Sequence, residues 1–136
     1  MAERRPNRVL GPEHEQFWSY CAEGELRFQR CGTCQHVSWP PVKACERCGS
    51  TALRWERVSG KGRIISWCTF FQQYYPGVLP TPWDTILVEL DEGPLFVSNP
   101  HGFTNEEVFP NFPVTVSFIE CEDDAGQFSL PVFERA

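Results

Sequence analysis

Hydrophobic and polar residues alternate with a two-residue period in short segments of this 136-residue chain, and one early segment follows a helical period instead. Phe17, Trp18 and Cys21 fall close to one helical face. Pro12, Glu13 and Glu15 suit a first turn and Gly24 a stop, which predicts a short amphipathic helix over residues 13–23. Residues 1–11 ahead of it hold Arg4, Arg5 and Arg8 with little apolar content, and are expected to form a mobile arm. After the helix, residues 26–30 alternate and predict a strand. Pro40-Pro41 then denies helix and holds the following segment extended.

Residues 53–58 read as a connecting strand, and Gly60-Lys61-Gly62 as a turn. Further strands are predicted at residues 64–71, 85–90, 95–98, 114–119 and 128–133 from their β-branched and aromatic content. Turns at residues 91–94 and 123–126 separate them, and residues 105–108 are the one later helical candidate. Five short antiparallel strands with an irregular middle connection fit a small OB-type barrel, with a β-sandwich as the alternative architecture. The fold class expected is therefore mostly β: a short helix and ribbon in residues 1–57, then a five-stranded barrel in residues 58–136. Residues 72–83 break the habit of polar loops, with Tyr74, Tyr75, Val78, Leu79 and Trp83 among four prolines and glycines. Such a segment either covers the barrel end or meets a ligand or partner.

Seven cysteines bring in candidate chemistry. Cys31-Gly-Thr-Cys34 and Cys45-Glu-Arg-Cys48 offer four thiolates to one tetrahedral ion, the pattern of a closed structural zinc site. Iron suits the same ligands, and two disulfides or a redox pair are further alternatives. Zinc is the better reading, because a short ribbon needs metal to fold and a cytoplasmic address disfavours disulfides. Cys68 and Cys121 lie among Trp67, Phe70, Phe118 and Ile119, where a free cysteine serves as a small buried hydrophobe.

The net charge of −6 divides unevenly. Residues 1–63 hold 11 of the 12 Lys and Arg against 7 acids, whereas residues 64–136 hold Arg135 alone against 11 acids. Nucleic-acid affinity rests on cations against phosphates, so the barrel half is poorly suited to that work despite its aromatic residues. No stretch is apolar enough for a membrane span or a signal peptide. The cations Arg27, Arg30, Lys43, Arg47, Arg54, Arg57, Lys61 and Arg63 cluster in and just after the ribbon. A bipolar ligand, phosphate at one end and apolar at the other, would match them together with Tyr75, Leu79 and Trp83. His36 and His101 are candidate donors to a carbonyl or phosphate.

The four-cysteine ribbon with Trp39-Pro40-Pro41, the segments Cys48-Gly49-Ser50 and Val58-Ser59-Gly60-Lys61-Gly62, the stretch from Val88 to Leu95 and the tail from Leu130 to Phe133 together resemble the DUF35 family. The resemblance spans residues 13–134. It departs from the family pattern at Lys43, where arginine is more usual, and in the Phe- and Pro-rich residues 103–113. It implies a rubredoxin-like zinc ribbon joined to an OB-fold. It further implies a non-catalytic accessory subunit of a thiolase-fold enzyme acting on acyl-CoA thioesters, steroid-CoA esters among them. Condensation, acetyl transfer and retro-aldol cleavage are all compatible, in a cytoplasmic hetero-oligomer. Two other readings stand beside it: a nucleic-acid-binding ribbon and barrel, and an autonomous thioesterase built on Glu89, Asp91 and His101.

Overall fold

The computed structural model describes residues 2–136. Its elements are β1 (Glu3–Arg4), α1 (Pro12–Ala22), β2 (Arg27–Cys31), β3 (Val37–Ser38), β4 (Leu53–Arg57), β5 (Lys61–Phe70), β6 (Trp83–Leu90), β7 (Leu95–Ser98), a 3-10 turn (Asn105–Glu107), β8 (Phe112–Asp123) and β9 (Gly126–Arg135). None of its helices is long and apolar enough to cross a membrane.

The expected helix forms with Pro12 in its first turn and Glu13 and Glu15 at its positive end, and it buries Phe17 and Cys21. The ribbon sheet runs β3-β2-β4, with Gln29 opposite both Ser38 and Trp55. Strands β5, β6 and β7 form a meander, β8 returns to pair with β5, and β9 folds back along β8. The sheet curls until Asn99 and His101, just past β7, hydrogen-bond Phe133 of β9. This is the strand order of an OB-type barrel. The core is one body, because Phe17 of α1, Phe28 and Trp39 of the ribbon and Phe96 of β7 meet in it. Trp39 lies 4.5 Å from Phe17, 5.1 Å from Phe28 and 5.0 Å from Phe96 between ring centroids.

Three expectations change. The arm is docked: β1 adds a sixth strand, parallel to β8, with Glu3 opposite Cys121. Arg5 is buried and Arg8 half-buried there, and the ion pair of Arg8 with Asp123 supplies what apolar content does not. Met1, which the sequence reading places in that arm, lies outside the described residues. The predicted turn at residues 60–62 is the start of β5: Gly60 has φ 77°, and a Cβ on Gly62 would stand 2.5 Å from the Glu89 carbonyl oxygen. Cys121 is buried as expected, but Cys68 is exposed. A bulge at Ile65 shifts the register of β5 against β6 and turns Ser66, Cys68 and Phe70 to the face opposite the core.

Candidate functional site

Each CxxC pair sits on a tight turn of the same build. Gln35 N–H donates to the Cys31 carbonyl at 2.9 Å, and Gly49 N–H to the Cys45 carbonyl at 2.8 Å. The two residues that follow the pairs adopt left-handed backbone, Gln35 at φ 67° and Gly49 at φ 79°. The turns aim N–H groups at sulfur: Thr33 and Cys34 donate to Cys31 Sγ, and Arg47 donates to Cys45 Sγ, each at 3.4 Å. The N–H bond from Cys34, followed by the others, holds the Cys31 thiol down to about 6, and similar bonds lower Cys45.

All four sulfurs lie within 4.8 Å of one another, with Cys31 to Cys48 at 3.5 Å and Cys34 to Cys45 at 3.7 Å. A zinc ion bonded at about 2.3 Å to four tetrahedral sulfurs sets them about 3.8 Å apart, whereas a disulfide needs about 2.05 Å. The thiolate set fits structural zinc, with every coordination position filled by protein. Zinc supplies folding here: it fixes two turns that share little apolar surface.

The second feature is an uncovered aromatic face. Phe70 (41% exposed), Phe71 (78%), Tyr74 (64%) and Tyr75 (50%) stand out from the end of β5 and the loop after it. Phe70, Tyr74, Tyr75, Leu79, Pro80 and Trp83 line a mostly apolar recess of about 340 Å³. Tyr75, Leu79 and Trp83, grouped by the sequence reading, line this one recess; Tyr75 is half exposed, and Leu79 and Trp83 are half-buried. Leu95 and Val97 of β7 extend exposed apolar surface across the same sheet.

The cations divide. Arg27 is paired with Glu25 and stacked on Tyr20 at 4.7 Å, Arg30 is paired with Glu56 at 2.7 Å, and Arg63 with Glu89. Arg54 stands 3.8 Å from Glu56, and Lys43 is exposed at the edge of Glu13's reach. Among the described residues Arg47, Arg57 and Lys61 have no ion-pair partner. Lys61 and Arg63 begin β5 and Phe70 ends it, so these cations lie about 23–30 Å of extended strand from the aromatic recess.

His36 is on the ribbon, its Nε2 3.1 Å from Glu46 Oε1. His101 lies at the far end of the barrel, beside Asp84. Glu89 is five residues along β6 from Asp84, about 16 Å of extended strand, and is held by Arg63. The set of Glu89, Asp91 and His101 does not assemble. What sequence reasoning missed is a polar cluster around Asp84. The Asp84 carboxylate accepts from the Thr69 hydroxyl and the Asn105 N–H, Asn99 Nδ2 donates to the Asp84 carbonyl, and Arg5 donates to Asn99. These residues are scattered over four segments, and no local motif announces them.

Residues 18–54 match the family described as ChsH2, rubredoxin-like zinc ribbon domain. The chain is 28% identical, over 97% of its length, to a probable enoyl-CoA hydratase alpha subunit of Thermomonospora curvata. It is 30% identical, over 87% of its length, to a 3-oxo-4,17-pregnadiene-20-carboxyl-CoA hydratase alpha subunit of Mycobacterium tuberculosis. It spans 40% and 39% of the length of these two relatives. A chain of the solved Ltp2-ChsH2(DUF35) aldolase superposes with a TM-score of 0.82 at 26% identity, over 95% of this chain and 98% of that one. The resemblance to DUF35 proteins read from the sequence holds, and the chain folds as a rubredoxin-like zinc ribbon carried on an OB-type barrel.

Proposed function

We propose that this protein is the accessory subunit of a thiolase-fold enzyme that acts on acyl-CoA thioesters, and that it docks through the aromatic face and helps wall the thioester channel. The observation that carries this reading is the uncovered patch formed by Phe70, Phe71, Tyr74, Tyr75 and the recess beside them. A small protein that exposes contiguous aromatic surface is built to cover it against something else. The kind of partner is drawn from its relatives: an aldolase chain of nearly identical extent, and hydratase subunits named for CoA esters. Retro-aldol cleavage of a steroid side-chain CoA ester is the favoured reaction, and the partner supplies the reacting groups. Lys43, Arg47 and Lys61 are proposed to meet CoA phosphates or acidic partner residues.

The test is capture of the tagged chain from its native cells, with mass spectrometry of what it retains. The retained enzyme is then assayed on acyl-CoA substrates with and without this chain. A thiolase-fold enzyme whose turnover needs the chain is the expected result. Thioester turnover by the chain alone, or retention of nucleic acid in place of an enzyme, overturns the reading.

A further inference from the structure

We infer that the cleft beside Arg5 is a binding site for a small carboxylate, or for the carboxylate end of a larger molecule, received on the Nε–Nη2 edge of the guanidinium. The site stands apart from the zinc ribbon and does not depend on the acyl-CoA reading. The cleft measures about 180 Å³, and Glu3, Arg5, Trp83, Asp84, Asn99 and His101 contribute to its walls. Arg5 is 9% exposed, and its guanidinium carbon lies over the Trp83 ring, 4.6 Å from the centroid. Nη1 donates to Asn99 Oδ1 at 3.1 Å, which fixes the rotation of the group. Stacking and this bond together leave one edge of the guanidinium, Nε and Nη2, to serve a ligand.

That edge carries two parallel N–H donors, spaced to meet both oxygens of one carboxylate. The same chain shows the edge when it is filled. Arg8 Nε donates to Asp123 Oδ2 at 2.8 Å, and Arg8 Nη2 to Asp123 Oδ1 at 3.2 Å. At Arg5 only half is used: Nη2 donates to Glu3 Oε2 at 2.9 Å, and the Nε–H, sealed from water on the side of the Cys121 thiol, meets no oxygen acceptor. A buried cationic donor left unmet is costly, so the fork is built for more than it holds. Glu3 is 61% exposed and bound through one oxygen, so it is the displaceable occupant. The other acid, Asp84, has its two oxygens engaged by the Thr69 hydroxyl at 2.8 Å and the Asn105 N–H at 2.9 Å. It makes no bond to Arg5, whose partners are Asn99 and Glu3. His101, tied to Phe133 through its backbone, sets an imidazole at the rim as a further donor.

The test follows the Nε–H resonances of Arg5 and Arg8 by nitrogen-15 NMR in the zinc-loaded chain during titration with acetate. The Arg5 signal is expected to shift and saturate while Arg8, whose fork is full, stays still. Glu3→Ala removes the competitor and should tighten acetate binding severalfold. Arg5→Lys, which lacks the fork, should weaken it tenfold or more. An Arg5 signal unmoved by acetate in both the parent and Glu3→Ala overturns the proposal. So does a response to inorganic phosphate without one to acetate, or an Arg8 signal that moves in step with Arg5.

Discussion

Arg8 and Asp123 form a two-pronged ion pair across 115 residues of sequence, and both side chains are nearly sealed from water, at 11% and 1% exposure. The Arg8 backbone N–H also donates to the same carboxylate at 3.0 Å. The pair clamps the segment after β1 onto the turn between β8 and β9. The hydrogen bond from the Arg8 side chain, helped by the N–H groups of Arg8 and Ala125, holds the Asp123 carboxyl down to about 2.

This fixes a pH dependence. A carboxyl whose folded pKa lies below its unfolded value stabilises the fold fully above the ordinary aspartate range, and that contribution fades as pH falls toward the folded value. For Asp123 the contribution is about 2 kcal/mol, lost between about pH 5 and pH 2. Urea titrations over that range should show the parent losing this increment. Asp123→Asn should be destabilised at neutral pH by a similar or larger amount and lose less than the parent on acidification. The slope that remains comes from Asp124, which Asn7 and Arg4 also hold down, and from Glu25, which Arg27 holds down. A parallel pH profile in the two proteins would show that the pair contributes nothing.

Zinc removal should reach far beyond the ribbon. Phe28 and Trp39, which the metal-bound turns hold in place, pack on Phe96 of the barrel. Zinc in small ribbons contributes on the order of 10–16 kcal/mol to folding. Cys31→Ser or Cys45→Ser, or a strong chelator, is therefore expected to abolish the ribbon fold and to lower barrel stability as well. Metal analysis should give one zinc per chain in the parent, and near-ultraviolet circular dichroism should collapse in the variants. A metal-free variant with the parent's aromatic signal would remove the structural role.

The boundary at residues 57 and 58 marks a change of sheet, and the packing across it predicts one cooperative unfolding transition. Phe28→Ala deletes a ring that is 1% exposed and touches both parts. Such a deletion costs roughly 3–5 kcal/mol. Thermal unfolding of the variant, followed at once by ribbon and barrel probes, should shift as a single transition. Two separated transitions would make residues 1–57 and 58–136 independent domains.

Much of this arrangement was legible from residue order. The knuckle spacing, the helix with Phe17 and Cys21 inward and the alternation within the later strands are local signals, and each maps onto the element it predicted. Three features were not local. The arm docks because Arg8 finds Asp123 at the other end of the chain, and no window of residues contains both. Cys68 faces outward because a bulge at Ile65 resets the two-residue rhythm, and bulges leave little trace in composition. The Asp84 cluster draws on Arg5, Thr69, Asn99 and Asn105, polar residues of the arm, a strand and the segment after β7 that share no local signal until the barrel closes.

The last prediction concerns the aromatic face. Tyr75 and Leu79 line the apolar recess, and Tyr75 is half exposed, so replacing both removes contact surface with little cost to the core. Trp83 lines the recess as well but also braces Arg5, which makes it the poorer probe. Interfaces concentrate their energy in a few aromatic anchors worth about 2 kcal/mol or more each. Tyr75→Ser with Leu79→Ser should therefore weaken the complex with the partner enzyme by roughly thirtyfold or more. Zinc content, circular dichroism and melting temperature should stay close to the parent values. Affinity measured by calorimetry or by co-purification decides the matter: a folded double variant that binds as tightly as the parent would place the partner on another surface.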